Sequence, residues 1–168
     1  MAYYQDLIST LHAFMHHRLE HHFGKREDAP NTDAFQVPEK KDHPLSDFIK
    51  SGKLSGEEQL TLCLALVPYI HPDLYTGLIR QFLPQGGDLP IFGAAKAKNA
   101  RGIIPTGETA QFLAAGTDVE ERLNVLKLMR TSRLVREGIL FLEHVPDGEP
   151  EMSGKLVLEK EYVDLFLT

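Results

Sequence analysis

The stretch S-G-E-E-Q-L-T-L-C-L-A-L-V, Ser55 to Val67, constrains this chain more than any other. Ser55 with Glu58 three residues later is a capping box, the signature of a helix start. From Leu60 onward the side chains are apolar on every side, so the helix cannot lie on a surface with one face in water. It needs partners all around it. That requirement predicts a mainly helical domain built about one central, buried helix, and 168 residues are enough to supply the partners.

The partners are legible as periodic segments. Tyr4, Leu7, Ile8, Leu11, Met15, Leu19 and Phe23 recur at steps of three and four, predicting an amphipathic helix over 3–23 that Gly24 ends. Residues 25–44 are polar, hold three prolines and have no period. They read as a linker, mobile or laid over the surface. L-S-D-F-I-K-S-G is a short helix closed by Gly52. Pro68 ends the central helix, and Pro72 stands in the first turn of the next, whose face is Leu74, Leu78, Ile79 and Phe82. T-G-E-T-A-Q-F-L-A-A-G predicts a helix from an N-cap at Thr106 to Gly116. T-D-V-E-E-R-L-N-V-L-K-L-M-R-T-S predicts another, with a box of Thr117 and Glu120 and a face of Val119, Leu123, Leu126 and Met129.

The end of the chain changes character. G-I-L-F-L-E-H-V is β-rich, P-D-G-E-P-E-M-S-G is turn chemistry, and K-L-V-L-E alternates as a half-buried strand does. Helices followed by such a hairpin have the order of a winged helix. The expected fold class is therefore mainly α (α+β). Its parts are an N-terminal helix over 1–24, a linker over 25–44 and a winged-helix-like domain over 45–168. The final helical pattern, E-Y-V-D-L-F-L-T, stops without a capping glycine or polar tail, which reads as an interrupted chain.

Composition removes several function classes. The formal charge of -6 disfavours a dedicated nucleic-acid binder. The single cysteine, Cys63, rules out an internal disulfide and a cysteine-based zinc site, and reads as a small buried hydrophobe in a reducing compartment. There is no basic n-region with an apolar core at the N-terminus, and no apolar run near the roughly 20 residues of a membrane span. The expectation is a cytoplasmic protein.

Four features invite a chemical reading. G-I-I-P-T-G-E-T, Gly102 to Thr109, differs from the phosphate-binding pattern G-x-x-x-x-G-K-[ST] by Glu108 in place of lysine. Glu108 would repel phosphates, Pro105 removes an amide donor, and A-A-K-A-K-N-A-R before it is no central strand, so the motif reads as a helix cap. The loop over 84–105 carries Lys96, Lys98 and Arg101 beside the helix start at Thr106, which reads as a solvated loop first and an anion site second. His12, His16, His17, His21 and His22 form two i,i+4 pairs on different sides of the first helix, with no third ligand implied. They read as a histidine-rich polar face that protonates in part near neutral pH. Arg122, Lys127, Arg130, Arg133 and Arg136 are interleaved with Asp118, Glu120, Glu121 and Glu137, which offsets phosphate binding. No Ser/His/Asp signature, G-x-S-x-G elbow or G-x-G-x-x-G is present. No catalytic, cofactor-binding or metal-binding residue is assigned.

Three segments, 55–75, 90–116 and 152–167, carry a resemblance. The runs P-T-G-E-T-A-x-F-L-x-A-G and S-G-x-L-x-L-x-x-E-Y are its most specific parts. They resemble the region preceding the ATPase module in AAA-type ATPases encoded with bacterial phage-tail-like contractile injection systems. The resemblance implies a non-catalytic, winged-helix-like accessory domain that docks protein partners or positions the ATPase ring. It also implies a homo-hexameric parent using ATP and Mg, with the Walker motifs beyond Thr168. A winged-helix DNA-binding regulator is the competing reading, and a metal-responsive protein built on the histidine helix is a weaker third.

Overall fold

The computed structural model describes residues 2–96, 98–99 and 102–168. The fold is mainly helical with small antiparallel β elements, and α3, Gly56–Leu66, lies at its centre. Nine of the eleven residues of α3 are buried, from Gly56 through Leu66. At about 1.5–3 kcal/mol for each fully buried Leu, its four leucines make it the main apolar contributor to the core. The helix starts as its sequence predicts: Ser55 Oγ accepts from Glu58 N at 3.2 Å, and Ser55 N donates to Glu58 Oε1 at 3.0 Å. It ends in a 3₁₀ turn, Val67–Tyr69, for a covalent reason. Pro68 has no N–H for the carbonyl of Leu64. The buried Tyr75 hydroxyl supplies that hydrogen bond instead, at 2.7 Å.

Around α3 stand α1 (Ala2–His22), α2 (Pro44–Gly52), α4 (Leu74–Phe82), α5 (Gly107–Ala115), α6 (Val119–Thr131), α7 (Arg133–Arg136) and α8 (Lys160–Phe166). The inner face of α1 is Leu7, Ile8, Leu11, Met15 and Leu19, on the predicted stripe. The 25–44 stretch is anchored across the body. Phe35 and Val37 are buried, Phe35 meets Phe14 edge-on at 5.4 Å, and Val37 N donates to the buried Gln59 Oε1 at 2.9 Å. Helix α1, this stretch and the later helices share one hydrophobic core.

Three helix ends differ from the sequence expectation. Helix α4 begins at Leu74 behind an N-cap at Asp73, so Pro72 stands in the turn before it and not in its first turn. The left-handed cap after α2 is Lys53 at φ 49°, one residue beyond Gly52. The N-cap of α6 is Asp118, whose carboxylate accepts from Glu121 N at 3.1 Å, in place of a Thr117–Glu120 box. Capping choice is decided by which oxygen reaches the third helical amide, and Asp118 has the extended backbone that places it there. The buried face of α6 also differs. Val125 and Met129 are its buried residues and Leu126 is half-buried, whereas Val119 is 77% and Leu123 43% exposed.

Strand β3 (Leu140–Leu142) pairs with β4 (Leu156–Leu158) antiparallel, Phe141 opposite Val157. On the other side of β4, Thr106 bridges Lys155 and Leu156 N donates to Pro105 O at 2.9 Å. The order is thus helix α3, an extended bridge residue at Thr106, helices α5, α6 and α7, then β3, a wing over 143–154, and β4. This is winged-helix order, with α4 and the 84–105 loop inserted after the first helix. Within the insertion β1 (Ala95–Lys96) pairs with β2 (Ile103–Ile104), a short hairpin that aperiodic sequence did not reveal.

Candidate functional site

In a winged helix the helix before the hairpin and the wing are the parts displayed to partners. Here the long helix ahead of the hairpin is α6, set off from β3 by the four-residue α7, and its exposed residues are Val119, Glu120, Glu121, Leu123, Asn124, Lys127, Arg130 and Thr131. The wing, E-H-V-P-D-G-E-P-E-M-S-G, carries four carboxylates and neither lysine nor arginine. Glu151 is tied to the base of the wing: Arg130 Nε of α6 donates to both its oxygens, at 3.1 and 3.3 Å. That contact holds the Glu151 carboxyl below its ordinary pKa. Glu143, Asp147 and Glu149 are exposed, and no cation lies within 4 Å of them among the described residues. Phosphate would meet negative potential along this edge.

The G-I-I-P-T-G-E-T motif is consumed by packing. Thr106 Oγ1 accepts from Thr109 N at 3.3 Å, and Thr106 N donates to Thr109 Oγ1 at 2.9 Å. Thr106 Oγ1 donates to Gly93 O at 2.5 Å, and Gly107 N donates to Gly154 O at 3.2 Å. The amides of Gly107, Thr109 and Ala110 in the first turn of α5 therefore go to protein oxygens, which leaves no multi-amide cradle for the anion considered at Thr106. The two glycines serve close approach. A Cβ at Gly102 would stand 2.6 Å from Pro72 O, and one at Gly107 2.9 Å from Met152 O.

The basic loop folds back on α4. Ile103 N donates to Thr76 Oγ1 at 3.4 Å, and a groove of about 670 Å³ opens between α4 and the loop. Ile79, Leu83 and Phe92 supply its apolar lining, and Arg80 and Lys96 its cations. Asp88 is the carboxylate among the lining residues. Lys98 is exposed nearby in sequence, and Arg101 lies outside the described residues.

The histidines of α1 do not converge. His16 pairs with Glu20 at 3.2 Å, His17 with Asp28 at 3.4 Å, and His22 meets Phe112 edge-on at 5.3 Å. His12 stacks on His16 with centroids 6.0 Å apart; burial, then His16 and His71, lower its pKa. Among the described residues no three His, Cys, Asp or Glu side chains gather as a metal site. Cys63 is buried, which pushes its thiol pKa up to about 12 and leaves it unreactive.

Sequence reasoning missed Arg18. It is 4% exposed on the inner side of α1, with no carboxylate beside it among the described residues. Its Nε donates to Leu113 O at 3.0 Å and its Nη2 to Ala114 O at 3.1 Å, so the guanidinium closes the C-terminus of α5. The negative end of that helix is its counter-charge. Burial lowers its pKa to about 10, still far above neutrality.

No family model matches this chain, and neither curated proteins nor solved structures give a match to it. Among the described residues no single helix is long and apolar enough to cross a membrane.

Proposed function

We propose that this chain is a non-catalytic accessory domain of a AAA-type ATPase, acting by protein contact to dock partners or position an ATPase ring. The observation that carries the protein-contact part is the acidic wing beside α6, with exposed Val119 and Leu123 where a DNA reader needs cations. The assignment to the ATPase class is supported by the resemblance of residues 55–75, 90–116 and 152–167. ATP and Mg belong to the parent in this reading, which is cytoplasmic and homo-hexameric.

Two measurements on the 168-residue chain test the non-catalytic, DNA-free reading. Calorimetry with ATP and Mg is expected to give no heat of binding, and a mobility shift with short duplex DNA at low salt no retardation. Micromolar affinity for the nucleotide overturns the accessory role. Salt-dependent DNA binding moves the chain to the regulator class. Reading the gene past Thr168 tests the parent: a G-x-x-x-x-G-K-[ST] module there is the expected outcome, and another kind of domain removes the ATPase assignment.

A further inference from the structure

The two hairpins, β1–β2 and β3–β4, carry opposite charge. At the Thr106–Lys155 bridge the strands run antiparallel. The chain before Thr106, which holds the β1–β2 hairpin, therefore leaves the bridge one way, and the chain before Lys155, which holds the wing, leaves it the other. Residues 89–107 contain three basic residues and no acidic one, and the wing over 143–154 is the reverse with four acidic and no Lys or Arg. The groove at the basic end has apolar walls and Arg80 and Lys96 as cations. No carboxylate lies within 4 Å of either cation among the described residues. The wing tip, V-P-D-G-E, offers Val145 and Pro146 followed by Asp147 and Glu149. The wing tip thus offers apolar residues and carboxylates, and the groove apolar walls and cations.

From this we infer that the occupant of the α4–loop groove is the wing of a second copy of this chain. Val145 and Pro146 enter the apolar part, and Asp147 and Glu149 meet Arg80 and Lys96. Asp88 in the groove and His144 and Lys155 beside the wing are the charges that oppose or modulate the match. Wing and groove are different patches of one surface. The contact is heterologous and propagates head to tail, into a ring or an open chain. This goes beyond the accessory-domain reading and stands independently of it, since neither ATP nor DNA binding bears on it.

The test is sedimentation velocity of the 168-residue chain over a wide concentration range, at low and high salt. The native chain is expected to associate with rising concentration and to lose that association in high salt. A wing variant, Asp147→Lys with Glu149→Lys, and a groove variant, Arg80→Glu with Lys96→Glu, each replace attraction by repulsion. Each is expected to weaken association by at least about tenfold. Mixed together they restore it, because the reversed wing fits the reversed groove and the native wing fits the native groove. All four substitutions fall on exposed residues, and far-ultraviolet circular dichroism checks that each variant is folded. A native chain that stays monomeric at low salt overturns the inference. So does association by either variant alone, or a mixture that remains monomeric.

Discussion

Helices α3 and α6 begin alike and end in opposite roles. Each has a side-chain N-cap and two glutamates in its first turn. Of eleven residues in α3, nine are buried; of thirteen in α6, Val125 and Met129 are. The first helix holds the domain together and the second is held by it. Local start signals are thus silent about burial, which is decided by the residues beyond the first turn. An all-round apolar run forces a helix inward, and a narrow stripe lets it be displayed.

The contrast is broken most severely at Leu64, which is fully buried in α3. Leu64→Ala is expected to lower unfolding free energy by about 2–5 kcal/mol, read from urea denaturation. A drop under about 1 kcal/mol would mean the centre of the fold lies elsewhere. Next comes the end of the same helix. Tyr75→Phe leaves the Leu64 carbonyl without its donor and is expected to cost about 1–3 kcal/mol in the same assay. An unchanged midpoint would show that water replaces the hydroxyl.

Ser55→Ala removes the cap of α3, for an expected loss of about 1 kcal/mol. Glu58 sharpens that case, because its second oxygen accepts from Ser132 Oγ at 2.7 Å and so ties the start of α3 to the junction of α6 and α7. A double-mutant cycle of Ser55→Ala with Ser132→Ala is expected to show coupling, and additivity would sever the link. The smallest effect belongs to the displayed helix. Val119→Ser and Leu123→Ser are expected to stay within about 0.5 kcal/mol of the native chain. A loss comparable to that at Leu64 would mean α6 is structural after all.

The same contrast explains what the sequence disclosed. The central helix, the stripe of α1 and the Ser55 box were legible because burial leaves a period and capping leaves a spacing. The face of α6 was misplaced because Val119 and Leu123 satisfy a helical period while pointing to solvent; an exposed apolar residue looks like a core one in a string of letters. The β1–β2 hairpin was hidden because its strands are two residues each, too short to show alternation. The groove behind it depends on Ile103 meeting Thr76 across 27 positions, a contact no local pattern encodes. Arg18 was invisible for a sharper reason. Its counter-charge is a set of backbone carbonyls at the end of α5, and peptide oxygens have no letter.

Tyr4 near the start of α1 donates its hydroxyl to Phe166 O at 2.8 Å, at the end of α8. The path of the chain is therefore nearly a closed loop, and where that loop is opened is a choice that the core does not depend on. A short peptide joining residue 168 to residue 2, with new ends opened between Asp147 and Gly148, would keep the order of packing while turning the wing into two loose threads. Such a rearranged chain would separate what folds this molecule from what it shows to others.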